Sequence, residues 1–193
     1  ADHRLVATAR AMTTFDLLVT GGQVLDGTGA PAFAADVGVR DGVIVAIAPG
    51  LGAVADAATE VIDAAGRVIT PGFVDVHTHF DGQATWDDVL DPVTGHGVTT
   101  VLMGNCGVGF APVRPGGEQA LIELMEGVED IPGSALSEGI DWRWETFPDY
   151  LDVLEQRRWS VDVGTHVPHG PVRTYANGDL DEMARIVTEA VEA

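Results

Sequence analysis

Between Phe15 and Thr70 the apolar residues come in short runs broken by glycine and aspartate, a pattern of strands and tight turns. Phe15 to Val19 is an apolar run closed by Gly21-Gly22. Val24-Leu25 leads into the turn cluster Asp26-Gly27-Thr28-Gly29. Ala35 to Arg40 alternates loosely, and Asp41-Gly42 predicts a hairpin with Val43 to Ala48 as the partner strand. Glu60 to Ala64 and Arg67 to Thr70 make two more strands around Gly66. The spacing predicts a small antiparallel β unit.

After Pro71 the period changes. Phe73 to Val76, Val98 to Met103 and Ser160 to Gly164 are short, β-branched, apolar runs that predict buried strands. Trp86 to Thr94 is mixed and leaves room for a short helix. Gln119 to Glu126 has helical spacing, Glu129 to Trp144 reads as an acidic loop, and Phe147 to Arg158 predicts a helix with an apolar stripe of Phe147, Tyr150, Leu151 and Leu154. Leu180 to Val191 predicts a last helix, with Asp179 or Asp181 near its start. Strands alternating with helices imply a parallel sheet. The polar, glycine-rich and histidine-bearing segments all follow strands, which is the edge that carries the active site in a βα barrel.

Two of these strand ends carry candidate chemistry. Pro71-Gly72-Phe73-Val74-Asp75-Val76 runs into His77-Thr78-His79. Residues two apart on a strand point to the same side, so His77 and His79 present two imidazoles together, a good donor pair for zinc. Surface histidines at a strand end are the plainer alternative. Asp81 is either a partner that fixes an imidazole or a loop acid. Cys106 follows the second strand on the same edge, either as a thiolate completing a His-His-Cys set or as a small buried side chain. Gly104, Gly107 and Gly109 give G-x-x-G-x-G rather than G-x-G-x-x-G, and Pro112 and Pro115 stand where a helix should open, which rules out a dinucleotide loop. His166 and His169 follow the third strand and are open between substrate, a second metal and structure. His96 precedes the second strand, at the opposite edge.

Composition narrows the classes. With 46% hydrophobic residues in a chain of 193, a real core is available. Ten arginines and no lysine stand against thirty acids, a formal charge of −20. That sign argues against nucleic acid or an anionic membrane as partner. The absence of lysine excludes a Schiff base and a carboxylated-lysine metal bridge within these residues. Cys106 is the sole cysteine, and no apolar run approaches a membrane helix, so the expected location is cytoplasmic.

The stretch from Ile62 to His79 resembles the opening pattern of the amidohydrolase superfamily. Within it, His77 to Gln83, Gly97 to Val101, Gly104 to Pro112, Glu126 to Pro132, Trp142 to Phe147 and His166 to Gly170 are most similar to the D-aminoacylase, or N-acyl-D-amino-acid deacylase, branch. The resemblance implies a zinc-dependent α/β enzyme, a (β/α)8 TIM barrel carrying a β-sandwich, which deacylates N-acyl-D-amino acids or hydrolyses a related linear amide. It implies metal ligands at His77, His79 and Cys106. It also implies two further histidines and a catalytic aspartate from later strands, which have no counterpart here, so catalytic and substrate-binding residues stay unassigned.

Residues 1–11 are expected to be a disordered extension, 12–70 the N-terminal part of the antiparallel β-sandwich unit, and 71–193 the first strands of the barrel. A barrel needs about 250 residues, so the expectation is the N-terminal portion of a longer enzyme. Its expected partners are a small N-acyl amino acid or amide, and either self-association or a complementing chain. An amidohydrolase acting on a cyclic amide, or an inactive fragment that binds metal or a partner chain, is the alternative reading.

Overall fold

The computed structural model describes residues 14–193, and the extension expected over residues 1–11 lies outside the described residues. The chain divides into two compact units, the first ending at Pro71 and the second running from Gly72 to Ala193.

The first unit is one mixed five-stranded sheet: β1 (Leu17–Val24), β2 (Phe33–Arg40), β3 (Val43–Ala48), β4 (Glu60–Asp63) and β5 (Val68–Ile69). Their order is β3-β2-β1-β4, with β5 also on β1. The hairpin expected at Asp41-Gly42 is present. Both residues take positive φ, 50° and 74°, the backbone of a type I′ turn whose twist matches that of the strands. Two expectations need correction. The glycines at 21 and 22 do not end β1. They sit at a bulge where its register with β2 shifts between Val19 and Gly22, and the strand continues to Val24. The half-buried strand tolerates this because the buried Asp36 accepts the Gly21 N–H at 2.8 Å and the Gly52 N–H at 3.3 Å. The unit is also not purely antiparallel. Both β4 and β5 run parallel to β1, because the chain crosses over through residues 49–59 before it returns. Val24, Ala35 and Val37 form the small core, with Val19 and Ile69 packed on it.

The second unit is built on three parallel strands in sequence order, β6 (Phe73–Asp75), β7 (Val98–Met103) and β8 (Asp162–Thr165). No α-helix joins β6 to β7; two short 3-10 turns, Gln83–Thr85 and Thr94–His96, take the place of the helix expected near 86–94. Between β7 and β8 lie α1 (Glu118–Glu129), α2 (Gly133–Gly139) and α3 (Phe147–Glu155), and after β8 come α4 (His169–Tyr175) and α5 (Leu180–Glu192). α2 falls inside the stretch read as an acidic loop. Its sequence, Gly-Ser-Ala-Leu-Ser-Glu-Gly, buries Leu136 as its one large apolar side chain, so packing rather than periodicity holds it. α3 opens with a reciprocal capping box between Thr146 and Asp149. Its buried stripe is Phe147, Tyr150, Val153 and Leu154; Val153, not Leu151, takes the inner position. α5 starts at Asp179, whose carboxylate accepts the Glu182 N–H at 2.9 Å. No described helix is long and apolar enough to cross a membrane.

β7 is the central strand, and Val101 and Met103 are fully buried among Phe110, Leu121, Met125, Trp144 and Tyr150. Two aromatic polar tips tie the strand exits to this core. Trp144 Nε1 donates to the Phe110 carbonyl and Tyr150 Oη to the Asp81 carbonyl, each at 2.8 Å. Gly104 turns the chain out of β7 at φ 76°, and a Cβ there would stand 2.3 Å from the His166 carbonyl oxygen. Only glycine satisfies both the left-handed backbone and that crossing.

Gly104→Ala is therefore expected to cost about 2 kcal/mol or more, read as a lower urea midpoint at unchanged slope; an unaltered midpoint would mean the loop shifts freely. β6 is an edge strand, and Phe73, Val74 and Val76 are 61%, 57% and 61% exposed. An uncovered apolar edge pairs with other chains, so sedimentation velocity should show concentration-dependent association, which a sharp monomer boundary throughout would contradict.

Candidate metal centre

β6 ends at Asp75, but Thr78, three residues on, still bonds to β7. Thr78 is buried, and both its N–H, at 2.9 Å, and its hydroxyl, at 2.8 Å, donate to the Leu102 carbonyl. With Thr78 turned to β7, the residues on either side of it share a face. His77 and His79 accordingly stand edge to face, ring centroids 5.5 Å apart. The alternation expected of a strand thus operates just past the strand itself.

Cys106 reaches the same place from β7. Asn105 clamps the turn by donating from Nδ2 to the Leu102 carbonyl at 2.9 Å and to the Thr78 carbonyl at 3.3 Å. Cys106 follows at φ 53°, a left-handed backbone that projects its side chain out of the turn and leaves it exposed rather than buried. Its sulfur lies 3.2 Å from His77 Nε2. One donor atom from each of His77, His79 and Cys106 falls within 4.8 Å of the others. Two imidazoles and a thiol at that separation match the donor set of zinc in kind and in span. His79 Nδ1 is buried and makes no hydrogen bond, so that ring is held by its surroundings and by whatever its other nitrogen meets.

Asp81 resolves to the second of its two expected roles. It does not pair with an imidazole. It is 2% exposed, and its Oδ1 accepts the Gly104 N–H at 2.8 Å, bracing the Cys106 turn against the His77–His79 segment. Burial pushes its carboxyl up to about 7, against the two backbone N–H groups that lower it, and the charge of Glu129 adds to the rise. The Cys106 thiol is also raised, first by desolvation and then by the Glu129 carboxylate that faces it.

Glu129 is the residue that the sequence pattern missed. It is the last residue of α1, and its Oε2 lies 3.3 Å from His79 Nε2. Only the merging of α1 into what read as an acidic loop hid it. The other candidate histidines are not in the metal-capable group, although His166 and His169 border the Cys106 turn at Gly104 and Gly107. His166 and His169 are exposed, His169 opening α4 behind Pro168. His96 is exposed at the N-terminal end of β7, the opposite edge from Cys106.

Residues 60–193 match the model of the amidohydrolase family. A D-aminoacylase of Alcaligenes xylosoxydans xylosoxydans is 37% identical over 171 residues, which cover 88% of this chain and 32% of the relative. A solved D-aminoacylase, described with a binuclear metal centre, superposes with a TM-score of 0.74 at 33% identity, covering 92% of this chain and 36% of that one. The N-acyl-D-glutamate deacylase of Bordetella bronchiseptica, solved with zinc and a phosphonate inhibitor, gives a TM-score of 0.71 at 34% identity, over 94% of this chain and 37% of that one. The chain thus spans about a third of the length of these relatives. From the matched residues and these likenesses, the chain belongs to the amidohydrolase family.

Proposed function

We propose that this chain contributes His77, His79 and Cys106 as zinc ligands to an enzyme that hydrolyses a linear amide, the deacylation of N-acyl-D-amino acids. The observation that carries this reading is the convergence of two imidazoles and a thiol at the C-terminal ends of two adjacent parallel strands. It is supported by relatives that are a D-aminoacylase and an N-acyl-D-glutamate deacylase, the latter solved with zinc. We read residues 71–193 as the first strands of a (β/α)8 barrel and residues 12–70 as part of a composite β-sandwich. Three parallel strands in sequence order, with the candidate site at their C-terminal edge, fit the barrel rule.

Bound zinc would polarise the scissile carbonyl and lower the pKa of a water. The chain's own residues do the positioning. Thr78 sets the two imidazoles on one side, Asn105 and Gly104 aim Cys106 at them, and Asp81 locks the two loops together. A proton acceptor is also required. Asp81 is too enclosed to serve, with Oδ1 committed to Gly104, and we assign the acceptor to an aspartate outside these residues. A substrate carboxylate meets a chain of charge −20, so a local positive group has to receive it. Arg173, exposed at the end of α4, is the candidate here.

The 193-residue chain should take up zinc, and Cys106→Ala or His77→Ala should each lower uptake by about tenfold or more, whereas His96→Ala should not. Elemental analysis after equilibrium dialysis measures this; uptake indifferent to both ligand substitutions would refute the assignment. The same chain should leave N-acetyl-D-amino acids intact, and joining it to the downstream two-thirds of a D-aminoacylase should restore hydrolysis. Normal turnover by the unjoined chain would place the acceptor among residues 1–193 instead.

A further inference from the structure

We infer that Tyr150 is a positioning residue of the metal centre: through Asp81, its hydroxyl couples zinc binding to the docking of α3. The inference rests on the zinc reading above and deepens it.

Tyr150 is buried on α3 beside Trp144 and Phe147, with ring centroids 4.9 and 6.1 Å away. Its hydroxyl donates to the Asp81 carbonyl at 2.8 Å, across 69 residues of chain. A buried hydroxyl that loses its acceptor is costly. The ring therefore keeps its place in the core while that carbonyl faces it. A second bond from the same side steadies the segment. Arg157, just past the end of α3, donates to the Thr85 carbonyl at 2.7 Å, so residues 81–85 are held by α3 at both ends.

The opposite side of Asp81 belongs to the β7 loop. Its Oδ1 accepts the Gly104 N–H at 2.8 Å, and a Cβ on Gly109 would stand 3.2 Å from that oxygen. A Cβ on Gly82 would stand 2.9 Å from Leu136 and 3.1 Å from Phe110. The Asp81 peptide is thus closely packed between α3 and the loop that carries Cys106. His79 lies two residues before Asp81, and Cys106 two residues after Gly104. A rotation of this one peptide displaces a ligand on each of two strand ends.

That placement gives the hydroxyl a role beyond packing. The donor atoms of His77, His79 and Cys106 already lie within 4.8 Å of one another. Affinity for an ion then depends on how firmly the two loops hold the ligands in that arrangement. Removing the Tyr150 hydroxyl releases one end of the brace and leaves every ligand present. The coupling is reciprocal. Zinc that draws the two loops together holds the Asp81 carbonyl toward α3, and each event favours the other by the same factor.

The test titrates the metal-free 193-residue chain with Zn²⁺ and, for spectroscopy, with Co²⁺. Tyr150→Phe should weaken zinc about fivefold, the worth of one hydrogen bond, and should shift the visible bands of the cobalt form. Two controls separate positioning from stability. Val153→Ala opens a cavity on the buried side of α3 without touching Asp81; it should lower the urea midpoint and leave zinc affinity and the cobalt spectrum as in wild type. Tyr175→Phe removes a hydroxyl that donates to Glu145 at an exposed site and should leave both unchanged. In hydrogen exchange, zinc should protect the amides of α3 more than those of α5 in wild type, and both helices alike in Tyr150→Phe. Should Tyr150→Phe fail to fold, the wild-type exchange comparison decides. Equal zinc affinity in wild type and Tyr150→Phe, equal weakening by Val153→Ala, or equal protection of α3 and α5 in wild type would each overturn the role of Tyr150 and leave the zinc reading intact. A wild-type chain that takes up no metal would overturn the zinc reading itself, and this inference with it.

Discussion

The parallel register of β6 against β7 is the constraint on which the site depends. Side chains alternate with a period of two, so sliding β6 by one residue would turn Thr78 outward and bring the histidines in toward Leu102. The two bonds from Thr78 to the Leu102 carbonyl tie the chain to β7 three residues beyond Asp75, the last paired residue of β6. Pairing then does more than join strands. It decides which side the imidazoles occupy and brings the Cys106 turn beside them, since that turn begins only two residues after Leu102.

Asp81 connects this constraint to the core. Its backbone carbonyl receives the buried Tyr150 hydroxyl, and its carboxylate receives the Gly104 N–H. Tyr150 belongs to α3, which is started by the Thr146–Asp149 capping box and packed through Trp144 onto the segment after Cys106. A single residue therefore joins the loop of β6, the loop of β7 and the first helix turn of α3. A carboxyl carried this deep loses solvation, which shows in its pKa near 7. The position is worth that loss because no apolar side chain could hold the Gly104 amide, a donor otherwise buried where Gly104 crosses His166.

Much of this was legible in the chain. β6 and β7 are continuous apolar runs ending in polar, glycine-rich turns, and His77, His79 and Cys106 lie where such runs end. α3 and α5 announced themselves by apolar spacing behind Thr146 and Asp179. What escaped has physical causes. Gly21-Gly22 reads as a strand end because glycine is poor in strands, yet Asp36 and Ile69 supply the contacts that a bulge needs. α2 carries too few apolar positions to set a period. Val153 replaces Leu151 in the stripe of α3 because spacing fixes a face only to within one residue. Parallel pairing of β1 with β4 depends on where the chain returns, which no local pattern encodes. Glu129 was lost among acids: nothing in its neighbours separates a carboxylate that faces an imidazole from one that faces water.

Charge explains why such a carboxylate matters in this chain. With thirty acids to ten arginines, surface repulsion is the default condition. Several arginines are already engaged. Arg114 stacks on Tyr175 and donates to its carbonyl, Arg157 donates to the Thr85 carbonyl and pairs with Asp88, and Arg185 bridges Glu182 and Glu189. None of these is at the trio. Among the described residues, the ion pair recorded at the trio is that of His79 with the Glu129 carboxylate, a setting that favours a divalent cation.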